Sequence, residues 1–404
     1  MTIHRYSFLA AGVLLACVAL VRVKSPAART TIAIAVWDES GGALEAAAQK
    51  FREDARNSGI QVQLREFGYD ELYDEVTVRG GRTYDVVMVD HPWLTLLRDK
   101  LRALTIQEPE QVPRNVLNAV RCPHPTATCV VGVPYVGNTE LFVINRRVLR
   151  DAKWPQTWDE VVTLASGVTK GGVYGYAARG RFDDDSSVTD EFMPVYWWAQ
   201  ERGGDTLTAV TKASNILASL ASKGPPFLGL LDDYEIAALL LNGKIAMGMT
   251  WSNWAMRMAD ADPAAARELK FGLPPGDAPE MGIWALAIPL DARHPREAQR
   301  FIEYATKCEV LKGAAMAGNP PLRKDLLRDA KLRTRYPSFD SQLLSLEKAK
   351  ERPPEQKWHE CSEKKIAESL RELYFGELAA TKATQQIKDA LAANEACRLQ
   401  RFEH

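Results

Sequence analysis

The sequence lacks the short motifs that announce most chemistry. No Gly-Lys-Ser/Thr follows the glycine-rich stretch 171–180, so those glycines do not form a phosphate-binding loop. Neither a Gly-x-Ser-x-Gly elbow nor a His-Glu-x-x-His is present. The six histidines are scattered without metal-ligand spacing, and the six cysteines include no Cys-x-x-Cys pair, so no metal and no cofactor is expected. The chain carries no basic block and no Lys/Arg run interleaved with aromatics. Its formal net charge is −1, and nucleic acid is not an expected partner. Internal repeats and low-complexity segments are absent. Glycoside hydrolysis needs a pair of carboxylates flanking one bond, and Asp38-Glu39 and Asp183-Asp184-Asp185 are the pairs on offer. Adjacent residues rarely face one substrate from opposite sides, so an exported carbohydrate-active enzyme is a minor alternative.

Ten tryptophans are the one unusual abundance in an otherwise ordinary composition of 46% hydrophobic and 25% charged residues. Several stand at turns rather than inside apolar periods, which points to a stacking surface. At 404 residues the chain exceeds a single core of ordinary size, and two domains are expected.

Residues 1–28 read as an export signal. His4 and Arg5 precede an apolar run from Phe8 to Val21, the length of a secretory core and short for a transmembrane helix. Two processing sites compete: Leu14-Leu15-Ala16-Cys17 resembles a lipobox that would lipidate Cys17, and Ser25-Pro26-Ala27-Ala28 suits an ordinary signal peptidase. An uncleaved anchor is the third reading. The remaining cysteines suit an oxidising compartment: Cys122 and Cys129 flank a hexapeptide and can close a small loop, and Cys361 and Cys397 sit on two helices expected to pack antiparallel. Cys308 is left over as a helical thiol.

Strands and helices alternate from the start. Thr31–Trp37, Ile60–Phe67 and Tyr84–Asp90 read as strands with helices between them, and the last is a continuous apolar run suited to a parallel strand covered on both faces. Such an α/β sheet binds ligands beyond the C-terminal ends of its strands, which here carry Trp37, Asp38 and Glu39, then Tyr69, then Asp90 and Trp93. Gly137-Asn138 is read as a turn where the chain crosses between domains. Thr157 and Glu160 form a capping box, 181–190 is an acidic loop, and Glu191–Gln200 is a helix bearing Tyr196, Trp197 and Trp198. After Arg323 only helices are expected. The stretch Gly243–Trp254 is the most telling. A small apolar strand delivers Trp251, Ser252, Asn253 and Trp254 at its end, flat apolar faces beside hydrogen-bonding groups, a mixture that suits a sugar or polyol.

Six segments in order carry a wider likeness: GVPYVGNTELFVINRRVL (132–149), PQTWDEVVTLA (155–165), GVYGYAARG (172–180), LLLNGKIAMGMTWSNW (239–254), GIWALAIPLDARHPREAQRFIEYAT (282–306) and GNPPLRKDLL (318–327). With these the chain resembles the extracellular solute-binding proteins of bacterial ABC transporters, in the sugar-binding cluster that includes maltose-binding proteins. The resemblance implies an α/β, two-lobed periplasmic-binding-protein fold of type II, with segments exchanged at a hinge and ligand in the cleft. It places one lobe at 29–138 plus 285–322 and the other at 139–284 plus 323–404. It implies a monomer that takes a mono- or disaccharide or polyol to a membrane permease by hinge closure. A sensor feeding a membrane receptor would share the fold. Carried over by position, Trp251, Trp284, Trp197 and Trp93 would stack on the sugar. Asp38, Glu39, Tyr69, Asp90, Asn138, Asp184, Asn253 and Asn319 would meet hydroxyls, and Arg323 would meet an acidic group. The acidic residues argue against a phosphate ester. Where relatives commonly carry Gly-Gly-Trp this chain has Gly282-Ile283-Trp284, which puts in question the close backbone approach at that point.

Overall fold

A computed structural model describes residues 29–57, 59–122, 129–203, 205–353 and 362–392. The segment read as an export signal, with Cys17, and the cysteines Cys361 and Cys397 lie outside these residues. Ten strands are described: β1 (Thr30–Trp37), β2 (Ile60–Phe67), β3 (Val86–Asp90), β4 (Leu104–Thr105), β5 (Cys129–Val130), β6 (Val133–Asn145), β7 (Tyr174–Ala177), β8 (Ile245–Trp251), β9 (Leu269–Gly272) and β10 (Met281–Ala287). Eight form one sheet in the order β2-β1-β3-β10-β6-β8-β7, with β9 also on β6, and β4 and β5 make a separate ribbon. Beside that ribbon Cys122 and Cys129 form the expected disulfide, their Cα atoms 5.6 Å apart. Cys308 is a half-buried free thiol at the start of the helix Cys308–Met316.

The β1-β2 and β1-β3 pairs are parallel, as the strand–helix alternation predicts, and β3 is buried along its whole length. The last strand, β10, then enters antiparallel between β3 and β6. β6 holds the molecule together. Its first half, Val133–Thr139, pairs with β10, and its second half, Glu140–Asn145, pairs with β8 and β9. All thirteen residues of β6 are buried. The turn expected at Gly137-Asn138 is absent: the strand runs straight through, because β10 and β8 hold it extended from opposite ends.

Two hydrophobic cores lie on either side of this crossing. One gathers Ile32 to Val136, then Met281 to Ala349. The other gathers Leu141 to Ala278, then Ile366 to Ala390. The helix Ser252–Ala261 serves both, with Met256 and Ala259 in the first and Ala255 and Met258 in the second. The chain therefore passes between cores at 137–140, at 279–280 and after Ala349. The segment 323–404 is divided by this packing. Leu326, Leu332, Phe339 and Leu346 belong to the first core, and only the helices from Glu363 onward join the second.

The crossing is braced by polar groups on the helix Phe339–Lys348. Gln342 Nε2 donates to Gly137 O at 2.9 Å and Pro321 O at 2.8 Å, and Ser345 Oγ donates to Glu140 O at 2.9 Å. Local signals are well kept elsewhere. Thr157 caps its helix, although Glu160 reaches back to the N–H of Gln156 rather than that of Thr157. Asp232 and Glu235 form a full capping box. The acidic loop expected at 181–190 is helical from Asp185, since Asp184 accepts from Ser187 N and starts the helix Asp185–Glu201 early. The aromatics Phe192, Tyr196, Trp197 and Trp198 on that helix are all buried in the second core.

Gly137 has no room for a side chain. A Cβ there would lie 2.5 Å from Pro321 O and 2.7 Å from Leu322 Cα, both backbone atoms that cannot swing away. Gly137→Ala is expected to destabilise the protein by about 1–3 kcal/mol. It should lower the urea midpoint at unchanged m-value.

Candidate functional site

Between the two cores lies a cavity of about 470 Å³, a size suited to a small solute. The first core supplies Trp37 and Glu39 from the end of β1, Tyr69 and Tyr73 from the turn after β2, Asp90 from the end of β3, and Trp284 from β10. The second supplies Asp184 and Asp190, Asp233, and Trp251, Asn253 and Trp254 from the end of β8. Asn138 lies at the crossing itself, and Arg352 and Glu363 come from the C-terminal region.

Aromatic rings build the walls. Trp284 is stacked on Trp37, centroids 4.6 Å apart and planes within 7°, with Tyr69 and Trp93 set edge-on at 5.8 and 5.4 Å. Trp284 is 3% exposed, whereas Trp37 is half-buried, so Trp37 offers the more accessible ring of this stack. On the other wall Trp251 lies where Gly282 has no side chain: a Cβ on Gly282 would sit 2.6 Å from Cζ3 of its ring. The close approach questioned by the Gly-Ile-Trp departure is thus made, by Gly282 itself. Trp254 is held by Arg257, 4.4 Å from its ring centre.

Polar side chains are fixed before any solute arrives. Asn138 Oδ1 accepts from Ser252 Oγ at 2.9 Å and from Asn253 N at 3.1 Å, tying the crossing to the end of β8. Asn253 Nδ2 donates to Glu39 at 2.8 Å, and Arg257 pairs with the same carboxylate at 3.2 Å. Burial pushes the Glu39 carboxyl up, against Arg257; Asp233 and Asp38 push it the same way. At Asp90 burial also acts upward, but Arg352 at 2.8 Å, the His91 N–H at 2.9 Å and the Tyr69 hydroxyl at 3.0 Å prevail and hold it below the usual range.

Beneath the cavity lies a buried charge network. Arg179 bonds Glu140 at 2.6 Å and Asp233 at 2.8 Å, with Glu191 at 3.6 Å. Arg352 bonds Asp90 at 2.8 Å and is ion-paired with Glu280 at 2.8 Å, with Asp190 at 3.6 Å and Glu363 at 3.9 Å. Two guanidiniums thus face seven carboxylates. The surplus cannot all be ionised in so dry a place. Burial drives Asp190 and Glu191 up to about 7, and it raises Glu140 and Glu280 as well.

Several residues expected at the site do not line the cavity. Asp38 is an exposed carboxylate in the first turn of its helix. Trp93 is buried behind Trp284, and Trp197 is buried in the second core with Lys350 over its ring. Asn319 bonds inward, accepting from Ser40 Oγ at 3.3 Å. Arg323 is spent on Asp325 at 2.6 Å and Glu108 at 2.9 Å. Sequence reading gave no role to Arg352, Asp190, Asp233 and Glu363. Arg352 sits in a Glu-Arg-Pro-Pro segment with no periodicity. Asp190 falls within the stretch read as a loop, where a helical face could not be drawn.

Two α/β halves joined by three crossings, with a walled cavity between them, define a two-lobed solute-binding protein. Residues 35–310 match the family model of bacterial extracellular solute-binding proteins, and the chain belongs to that family. A curated relative from Sinorhizobium fredii, a probable amino-acid ABC transporter periplasmic-binding protein, is 22% identical over 337 residues, 76% of each chain. Among solved structures, the maltose-bound MalE3 of T. maritima superposes with a TM-score of 0.75 at 18% identity, covering 90% of this chain and 99% of that one. A solute-binding protein of Agrobacterium vitis with bound D-mannitol gives 0.71 at 18%, covering 89% and 97%. These likenesses confirm the two-lobed fold. Among the described residues no helix is long and apolar enough to cross a membrane.

The raised carboxyls give stability a definite pH dependence. Asp190 and Glu191 bind protons more tightly folded, near 7, than at their ordinary 3.8 and 4.5. Their contribution is full below the ordinary values and is lost as pH rises through 7. The carboxyls held low, such as Asp90, act only below that window. The thermal midpoint should therefore fall between about pH 5 and about pH 8, and Asp190→Asn with Glu191→Gln should flatten that fall. Calorimetry across the range checks it; a midpoint that rises throughout would contradict the network.

Proposed function

We propose that this protein is the capture component of an ABC importer, held outside the inner membrane, and that it takes a carbohydrate or polyol into the cavity between its lobes. The observation that carries the reading is the pairing of tryptophan rings with prefixed hydrogen-bonding groups. Half-buried Trp37 and Trp254 offer flat apolar surface for the C–H faces of a sugar, with buried Trp251 also in the lining, and Asn138, Asn253 and Glu39 offer acceptors and donors for its rim. The lobes are 29–138 and 285 to about 349 on one side, and 139–284 with the helices from Glu363 on the other. Closure bends the three crossings and brings Glu39 of one lobe toward Asp233 of the other.

The relatives' solutes point the same way. Maltose and D-mannitol occupy two proteins of this fold. The Sinorhizobium relative is named for amino acids; of the cations lining this cavity Lys364 is exposed at its edge and Arg352 is enclosed by four carboxylates, so the lining is mainly acidic and favours an amino-acid carboxylate less than a sugar's hydroxyls. The family is one of solute-binding proteins, which makes capture and release a better account than turnover. The apolar run 8–21 supports export, with Cys17 as a lipid anchor or Ala28 as the end of a cleaved signal.

A thermal-shift screen of mono- and disaccharides, polyols and amino sugars tests this. A solute at a hundred times its dissociation constant should add about 2.7 kcal/mol of stability. Trp37→Ala and Trp254→Ala, at half-buried positions, should each weaken binding at least about tenfold, about 1.4 kcal/mol. The unliganded midpoint should change little. Small-angle scattering should show a smaller radius of gyration on binding. Silence from every carbohydrate, with hydrolysis of a polymer instead, would overturn the capture reading.

A further inference from the structure

The charges around the cavity narrow the solute, provided that the carbohydrate reading holds. We propose that the solute carries a protonated amine, as an amino sugar or amino polyol does, and that the amine is received by Glu39, Asp184 and Asp233. These three carboxylates line the same cavity, two from the second lobe and one from the first. Asp233 is near enough to both others for their like charges to act on it or on each other.

Compensation from the protein is incomplete. Asp184 is bonded only by Ser187 of its own helix, at N (3.0 Å) and Oγ (2.5 Å), and no cation pairs with it among the described residues. Asp233 shares Arg179 with two other carboxylates, and Glu39 shares Arg257 with the face of Trp254. A second, separate observation lies deeper. Asp190, 5% exposed and lining the cavity, has an oxygen, Oδ1, that accepts from no described N–H or hydroxyl, and the one hydrogen its carboxyl can share is that of a protonated Glu280. Its neighbour on one side is the Glu280 carboxyl, and its nearest cation is Arg352 Nη1 at 3.6 Å. A cavity lined by more carboxylates than cations favours a solute that brings a positive charge. The aromatic walls suit the same charge, since the face of an electron-rich ring such as half-buried Trp37 attracts an ammonium. A neutral sugar can donate hydroxyl hydrogens to these groups but leaves their charge unbalanced.

The test is titration calorimetry on the purified protein with matched solutes: glucosamine against glucose and N-acetylglucosamine, and 1-amino-1-deoxysorbitol against sorbitol. The amine of a set should bind at least about tenfold more tightly than its neutral and acetylated counterparts. That preference should shrink at least fivefold, an order-of-magnitude expectation for a charge contact, in Glu39→Gln and in Asp184→Asn. Asparagine remains a good helix cap, so the second variant keeps its fold. Neutral members that bind as tightly as amines overturn the inference and leave the carbohydrate reading standing. An amine preference untouched by both variants overturns the assignment to these carboxylates. No binding by any member of either set, by protein of native circular dichroism, removes the carbohydrate reading and this inference together.

Discussion

Thirteen consecutive residues of β6 serve two hydrophobic cores at once, and the rest of the architecture follows from that sharing. A strand buried along its length must find partners for every backbone group on both edges. β10 and β3 complete one end, and β8, β9 and β7 the other, so the sheet changes neighbours midway without breaking. The cavity opens where that change occurs, at Asn138, because neither half's helices can cover the point where both sheets meet. Gln342 and Ser345 brace the strand there through the carbonyls of Gly137 and Glu140. Asn138 then does two things: it belongs to the crossing, and it fixes the start of the helix that carries Asn253 and Trp254.

The same place gathers charge. Arg179 and Arg352 are both buried, and each is surrounded by more carboxylates than it can neutralise. Buried ion pairs are weak evidence of stability, since desolvation offsets much of their attraction. Their position suggests that they set geometry instead. Arg352 reaches Asp90 of the first half and Asp190 and Glu363 of the second, so it registers the two halves against each other. The raised carboxyls of Asp190 and Glu191 are what this arrangement costs.

Much of the fold was legible in the sequence, because local chemistry and global packing agree there. The parallel strands β1 to β3 were marked by apolar runs between helical periods, the helix start after Thr157 by its capping threonine, and the end of β8 by its change from small apolar residues to Trp-Ser-Asn-Trp. The cavity lining was legible at and just after strand ends, in Glu39, Tyr69, Asp90, Trp251 and Asn253, and also in Asn138 and Trp284 inside their strands and in Asp184 as a helix cap. It was not legible where tertiary contacts decide. Nothing local tells that Arg323 closes on Asp325, that Trp197 turns inward, or that Arg352 crosses from the far end of the chain to meet Asp90. The turn read at Gly137-Asn138 shows the same limit: two residues with turn preference are held extended by partners far away in sequence.

The interleaving of the chain also governs when the protein can fold. The first core needs residues from Ile32 to Ala349, and the second needs residues from Leu141 to Ala390. Neither is a contiguous block, so no early portion of a growing polypeptide can complete either one. Contacts between segments so distant in sequence form slowly. A chain of this layout stays open until most of it has been made; on the export reading proposed above, that would keep it threadable through a channel and leave final assembly to the compartment where Cys122 and Cys129 can join.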